Sequence, residues 1–439
     1  MREWLFLAAV FMMVTGDFPR FPFGIQEKHL PFLILSWPKL YVFLLAFAFV
    51  LLILTQGIRF QETADTKLLK QSFLMLLFGF SGSCLFSQDK RMSLEALGSF
   101  CAILLFLYLF ALSLQSETNI ERMEFCLLFA AVFLAVRVIL WRIHEGLDVG
   151  TYHLKNNSWI GKLQITWVLN FFSPIFLATA LKHPEFKKRL YFGMAWMVVG
   201  LGILVLYSRA GWFSFLVTTL LVPWMNHLKW EKWGLVIGSL LILLFVITAQ
   251  SRFGIQYVVM NSAEFQAQGG VQTRWGIWKD TIKMFLDHPL TGIGLGTYDK
   301  IAYTDYHNFH DRTHGEGRNG FYLNGWHAHN VSLHLLAETG LFGFFAWGCL
   351  WYTLFRSLRA KWKDPMYFLA RPEISACSCF LFSFLILSMT ENLMAIRVYE
   401  SMRMNLTIGF LLVYNFLKVR PHLTVLPLPE GNAVSQTET

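Results

Sequence analysis

The sequence predicts an all-α polytopic membrane protein with about twelve transmembrane helices and one large, partly helical loop between the ninth and tenth. Three observations predict it. The 439 residues are 55% hydrophobic and only 15% charged, with 43 Phe and 16 Trp, which leaves too few polar residues to cover a soluble protein of this length. Apolar runs approaching the ~20 residues needed to cross a bilayer recur along the chain. Lys and Arg collect in alternate short connections, as the positive-inside rule expects.

In chain order the expected spans are 4–16, 38–56, 71–87, 97–115, 124–142, 164–181, 190–207, 211–226, 233–249, 341–356, 374–395 and 402–418. The first is followed by "GDFPRFPFG" and not by a small-residue cleavage site, so it reads as a retained span. Spans 190–207 and 211–226 are joined by a very short turn, as are 374–395 and 402–418, and each pair should be an antiparallel hairpin. Arg59 and Lys67 follow the second span, Lys182, Lys187, Lys188 and Arg189 the sixth, and Arg356, Arg359, Lys361 and Lys363 the tenth. That parity places both termini and the even connections in the cytoplasm. The expected organisation is nine spans in 1–250, an extracytoplasmic loop over 251–340, three spans in 341–419 and a disordered tail over 420–439.

The net charge of +9, from 37 basic and 28 acidic residues, would suggest nucleic acid in a soluble chain. In this composition it points to cationic loops against the lipid bilayer, or to an anionic substrate, and not to nucleic acid. Cys84, Cys101, Cys126, Cys349, Cys377 and Cys379 all lie in apolar segments, so a disulfide framework is not expected.

A loop of about 90 residues without a role is uncommon. This one holds His288, His307, His310, His314, His327, His329 and His334, seven of the 13 histidines. Within it "TRWGIWKDTIKMFLDHP" reads as an amphipathic helix with Trp275, Trp278, Ile282 and Phe285 on one face, capped by Thr273 and stopped by Pro289. "LTGIGLGTY" lacks the strand and spacing of a dinucleotide fingerprint and reads as a tight turn that lets two helices of the loop pack closely. Asn330 to Glu338 reads as a short helix ended at Gly340 that feeds the tenth span.

Several loop residues could carry chemistry, each beside a plainer role. His307, His310, Asp311, His314, His327 and His329 include metal-ligand types, but no spacing matches a zinc signature, and His307, His310 and His314 read chiefly as solvated loop histidines. Arg209 in "LYSRAGW" lies at the mouth of a hairpin, where a guanidinium either snorkels to headgroups or faces a cavity and binds an anion. Arg274, in the first turn of the loop helix, is a surface charge or a second fixed cation on the same side. His329 precedes a helix whose N-terminus attracts anions. A neutral imidazole there can take a proton from a hydroxyl, or merely cap the helix.

Taken together, the arginine-and-tryptophan helix, "DHPLTGIGLGTY" and "HAHNVSLHLLAETGLFGFFAW" fall in a set order within the long loop. This order resembles the O-antigen ligase/polymerase superfamily, whose late segment has a similar "HP-x-x-G-x-G-x-G" turn followed by "H-N-x-x-L" and "E-x-G-x-x-G". "SRAGW" resembles the superfamily's earlier arginine motif. By motif the likeness covers about residues 200–350.

The resemblance implies a GT-C-like glycosyltransferase acting on the periplasmic face of the bacterial inner membrane. Its donor would be a glycan on undecaprenyl pyrophosphate and its acceptor a sugar hydroxyl of the lipid A–core. It further implies inverting transfer without a metal or other cofactor. Arg209, Arg274 and His329 match the family's essential arginines and histidine, while His327, Asn330 and Glu338 fall inside its motif. Trp275 and Trp278 could stack on sugar faces or anchor at the interface. A ligase, a glycan polymerase and a protein O-oligosaccharyltransferase all share these motifs. A single sizeable loop and a short tail favour the ligase. A transporter would show internal repeats and mid-span charges; no repeat is visible, and Glu391 is the one acidic residue well inside an apolar stretch.

Overall fold

The computed structural model describes residues 64–113, 117–144, 162–183, 185–206, 208–249, 271–304, 327–367, 371–390, 393 and 399–419, and every regular element among them is helical. In chain order these are α1 (Ala64–Leu85), α2 (Lys90–Ser113), α3 (Glu117–His144), α4 (Lys162–Lys182), α5 (Phe186–Val205), α6 (Arg209–Met225), α7 (Trp230–Ala249), α8 (Val271–Asp287), α9 (Tyr298–Thr304), α10 (Val331–Lys363), α11 (Arg371–Ser388) and α12 (Tyr399–Lys418). Seven described helices (α1–α5, α10 and α11) are long and apolar enough to cross a membrane. The chain is therefore a multi-pass helical membrane protein. Ten of the twelve expected spans coincide with a described helix; 4–16 and 38–56, like the tail 420–439, lie outside the described residues.

Two expectations about boundaries change. The eleventh span was expected to reach residue 395, but α11 ends at Ser388. Its last turn is closed by short-range bonds: Met389 N–H donates to Ile386 O, and the Ser388 and Thr390 hydroxyls donate to Leu385 O and Leu387 O. Those hydroxyls occupy carbonyls that a continuing helix would use. The loop helix α8 begins at Val271, so Thr273 lies inside its first turn and does not cap it.

The bundle is centred on α4, whose Val168, Leu169, Phe171 and Phe172 are all buried and which packs against α3, α5, α6 and α11. Polar rungs fix α6 against α11 in antiparallel register: Ser214 Oγ lies 2.7 Å from Ser383 Oγ, and Asn226 Nδ2 donates to Ser375 Oγ at 2.7 Å. Within hydrocarbon such paired groups avoid an unsatisfied donor. α1 lies along α10, with Gly79 close to Ala346 and Gly343, so small residues bring the two backbones together.

α10 is broken. Gly340 has φ 58° and ψ −161°, a region open essentially to glycine alone. A break in an apolar helix strands backbone groups on both sides, and the segment 288–294 satisfies them. Ile293 and Gly294 N–H donate to Ala337 O and Glu338 O at 2.9 and 3.0 Å, while Leu341 and Phe342 N–H donate to Pro289 O and Leu290 O at 2.9 and 3.2 Å. Gly292, at φ 71°, lies so close to the Glu338 carbonyl that no side chain fits there. The glycine-rich stretch thus packs a turn against a broken helix and against the α1–α2 connection, where Gln88 N–H donates to Ile293 O. It does more than let two loop helices approach.

Candidate active site

Above the break, α10 opens on a built N-terminus. Asn330 is its cap: the backbone is extended and Oδ1 accepts from Leu333 N–H at 3.0 Å. Asn330 Nδ2 also donates to Met389 O at 3.4 Å, tying this end of α10 to the end of α11. His329, just outside the cap, has φ 49°, a left-handed conformation that a non-glycine residue adopts only when held. The His327 ring holds it in part, since Nδ1 accepts from His329 N–H at 3.2 Å. The two rings meet edge to face with centroids 4.2 Å apart.

The peptide between these histidines is clamped from two helices. Ala328 O accepts from Trp278 Nε1 on α8 at 3.0 Å, and Ala328 N–H points at His334 Nδ1 on α10 at 3.5 Å. With Nδ1 facing that N–H, the His334 proton is assigned to Nε2, which lies 3.5 Å from Glu338 Oε1. Glu338 Oε1 also accepts from Tyr298 N–H at 3.1 Å, and the Tyr298 hydroxyl pairs with Thr281 Oγ1 at 2.6 Å. Met284, Ile293, Tyr298, Ile301, Ala328 and Ala337 form a small second core around this network.

Burial, reinforced by His329, His334 and the Arg274 guanidinium, pushes the His327 imidazole down from its ordinary 6.5 to about 2. His327 is therefore neutral at any physiological pH and serves as an acceptor. The field of Arg274 reaches His327, while direct contacts join His327 to His329, next to the cap Asn330.

Arg209 starts α6 behind the cap Ser208, whose side chain accepts from Gly211 N–H, and its side chain is exposed. The Ser214–Ser383 rung puts Arg209 about level with Ser388 and Met389, the end of α11 to which Asn330 is bonded. Glu338, 3% exposed, sits behind the histidines and not on an open surface. Trp275 is 56% exposed with the Lys279 ammonium 5.7 Å from its ring centre.

The face of α8 expected to be buried is displaced. Trp278, Thr281 and Met284 turn inward, whereas Trp275 and Ile282 turn out. Of the residues expected on one face, Trp278 and Phe285 are thus part-buried while Trp275 and Ile282 are exposed, and apolar residues on both sides of α8 suit a helix lying at a membrane surface. His334 and Tyr298 were missed as parts of the site. The signal for His334 was its spacing of four from Glu338 on a helix, which puts both on one face.

His307, His310, His314 and Glu391 lie outside the described residues. Among the described residues no group of three or more His, Cys, Asp or Glu side chains could hold a metal ion.

These features define a class: a multi-pass helical membrane protein whose cluster of histidines sits at the mouth of a broken helix. Residues 192–348 match the family model described as O-antigen ligase, a segment running from α5 past the break in α10. Over that segment the match supports a likeness to the O-antigen ligase/polymerase superfamily. No curated protein matches it.

Proposed function

We propose that the chain is an O-antigen ligase that moves a glycan from undecaprenyl pyrophosphate to a sugar hydroxyl of the lipid A–core, on the periplasmic face of the inner membrane. The observation that carries this reading is the left-handed His329, held by His327 at the capped start of a broken helix, inside the segment matching the ligase family. His329 takes the acceptor's hydroxyl proton as that oxygen attacks the anomeric carbon. The carbon–oxygen bond to pyrophosphate breaks on the opposite face, the lipid pyrophosphate leaves with the electron pair, and configuration inverts. Arg274 and Arg209 neutralise the charge that grows on the leaving group, and their planar forks suit its oxygens. The donor is already activated, so the reaction as written needs no nucleotide or metal. His327, Asn330 and Glu338 hold His329 in place, and Trp275 is available for a sugar face.

His329→Ala and Arg274→Ala should each lower transfer by about a hundredfold or more, the scale of a lost base or a lost electrostatic donor. Thermal stability should stay unchanged. The assay is complementation of a ligase-deficient Gram-negative strain, read as lipopolysaccharide laddering. Near-normal ladders from either variant remove that residue from the mechanism. Absence of laddering by the wild-type chain, inserted beside a compatible core, favours a polymerase or protein O-oligosaccharyltransferase. Added chelator should change nothing, and inhibition would bring back a metal.

A further inference from the structure

We propose that a cleft at the membrane face opposite the candidate site binds an anionic phospholipid of that leaflet. The cleft, about 280 Å³, lies between the end of α6, the far end of α10 and the start of α11. Its lining combines apolar Phe355, Ile374 and Phe382 with His227, Arg359 and Trp362. From Phe355 to Trp362 is about 10 Å along α10, so apolar lining gives way to cationic lining over the length of a lipid's glycerol region. The shape and polarity match an acyl chain with a phosphate at its head.

His227 supplies an independent observation. The end of α6 is a full Schellman motif: Leu228 N–H donates to Pro223 O and His227 N–H to Trp224 O. His227 occupies the left-handed position of that motif, at φ 48°, where glycine is the usual residue because it lacks a Cβ. A histidine kept there at the cost of strain points to a use for its side chain. The ring leans on Trp362, centroids 6.5 Å apart, and the Arg371 guanidinium covers Trp362 at 5.7 Å. The indole thus orders a cationic cluster.

Arg359 is exposed in the lining and can grip a phosphodiester through two parallel hydrogen bonds, while His227 donates a third. Arg356, Lys361 and Lys363 on the same end of α10 add to the positive field that draws anionic headgroups.

The test uses the full-length protein in neutral detergent, titrated with phosphatidylglycerol or phosphatidylcholine of the same acyl chains while thermal unfolding is followed. Phosphatidylglycerol should raise the midpoint by about 3 °C more than phosphatidylcholine. Soluble glycerol phosphate should not. Arg359→Ala should erase the difference without changing the midpoint in phosphatidylcholine. His227→Gly should keep or raise that midpoint, because glycine relieves the strain, yet at least halve the phosphatidylglycerol effect. Equal shifts with both lipids, a full shift in both variants, or an equal response to glycerol phosphate would each overturn the proposal. None of these readouts depends on glycan transfer.

Discussion

Below Gly340, α10 packs as membrane helices commonly do. The rings of Trp347, Trp351 and Phe384 meet edge-on or tilted at 4.9–6.0 Å, and the helix is held by area and shape. Above it, within nine residues, His334, Glu338 and Thr339 are buried polar groups, and carbonyls that would bond along the helix are taken by the 288–294 segment. The lower part tolerates change because dispersion contacts are many and individually small. The upper part is specified by directional partners from α1, α8 and α9, each lost outright when its geometry fails. A site that must hold a strained histidine in place is built on the second kind of structure.

The sharpest way to break this contrast is to make the same substitution in both parts. Gly340→Ala forces a side chain into a glycine-only conformation and against the Leu290 carbonyl, at a cost of about 3 kcal/mol or more once the clipped loop is displaced. Gly348→Ala, eight residues on, meets nothing within 4 Å and should be neutral or stabilising by up to ~1 kcal/mol. Thermal unfolding and laddering should separate the two decisively. Equal effects would mean that the break is incidental.

A smaller effect is expected at Glu338. Removing its carboxyl in Glu338→Ala leaves the buried Tyr298 N–H without its acceptor and His334 without its neighbour, at about 1–3 kcal/mol. Glu338→Gln keeps an oxygen for Tyr298 and should cost less than ~1 kcal/mol. The matched change below the break is Trp351→Phe, where the buried indole N–H has no hydrogen-bond partner among the described residues, so only packing is lost. If Glu338→Gln proves as damaging as the alanine, the network depends on the carboxyl itself and not on an acceptor.

The same division explains what the sequence disclosed. Membrane spans were legible because apolar length is a local property, and ten of them matched helices to within several residues. The break at Gly340 was legible because glycine punctuates chains in predictable ways, whereas the cap, offered by the sequence at His329, falls on Asn330. The network was not. Nothing local says that Tyr298 N–H reaches Glu338 across 40 residues, or that Ser83 Oγ on α1 donates to the Glu338 carbonyl across 255. Trp278 read as a sugar platform or interface anchor because its neighbours do; its bond to Ala328 depends on how α8 rotates against α10. Roles set by periodicity could be read, whereas roles set by docking angle could not.

The finest test concerns His327, whose folded form stays neutral. Its imidazole is pushed down from 6.5 to about 2, so the unfolded chain gains a proton below pH 6.5 that the folded chain refuses. Above pH 6.5 this group contributes no pH dependence. As pH falls from 6.5 toward 2, it lowers the stability of the fold. His327→Asn places an oxygen where Nδ1 now accepts from His329 N–H and removes the titration. Its stability should therefore match the wild type at pH 7.5 and fall less steeply between pH 6.5 and 4.5. Transfer by His327→Asn should stay within a few-fold of wild type, while His327→Ala, which leaves His329 without that anchor, should lose about tenfold. Parallel stability curves for wild type and His327→Asn would show that the imidazole ionises in place, and the two histidines would then have to share the work assigned to His329.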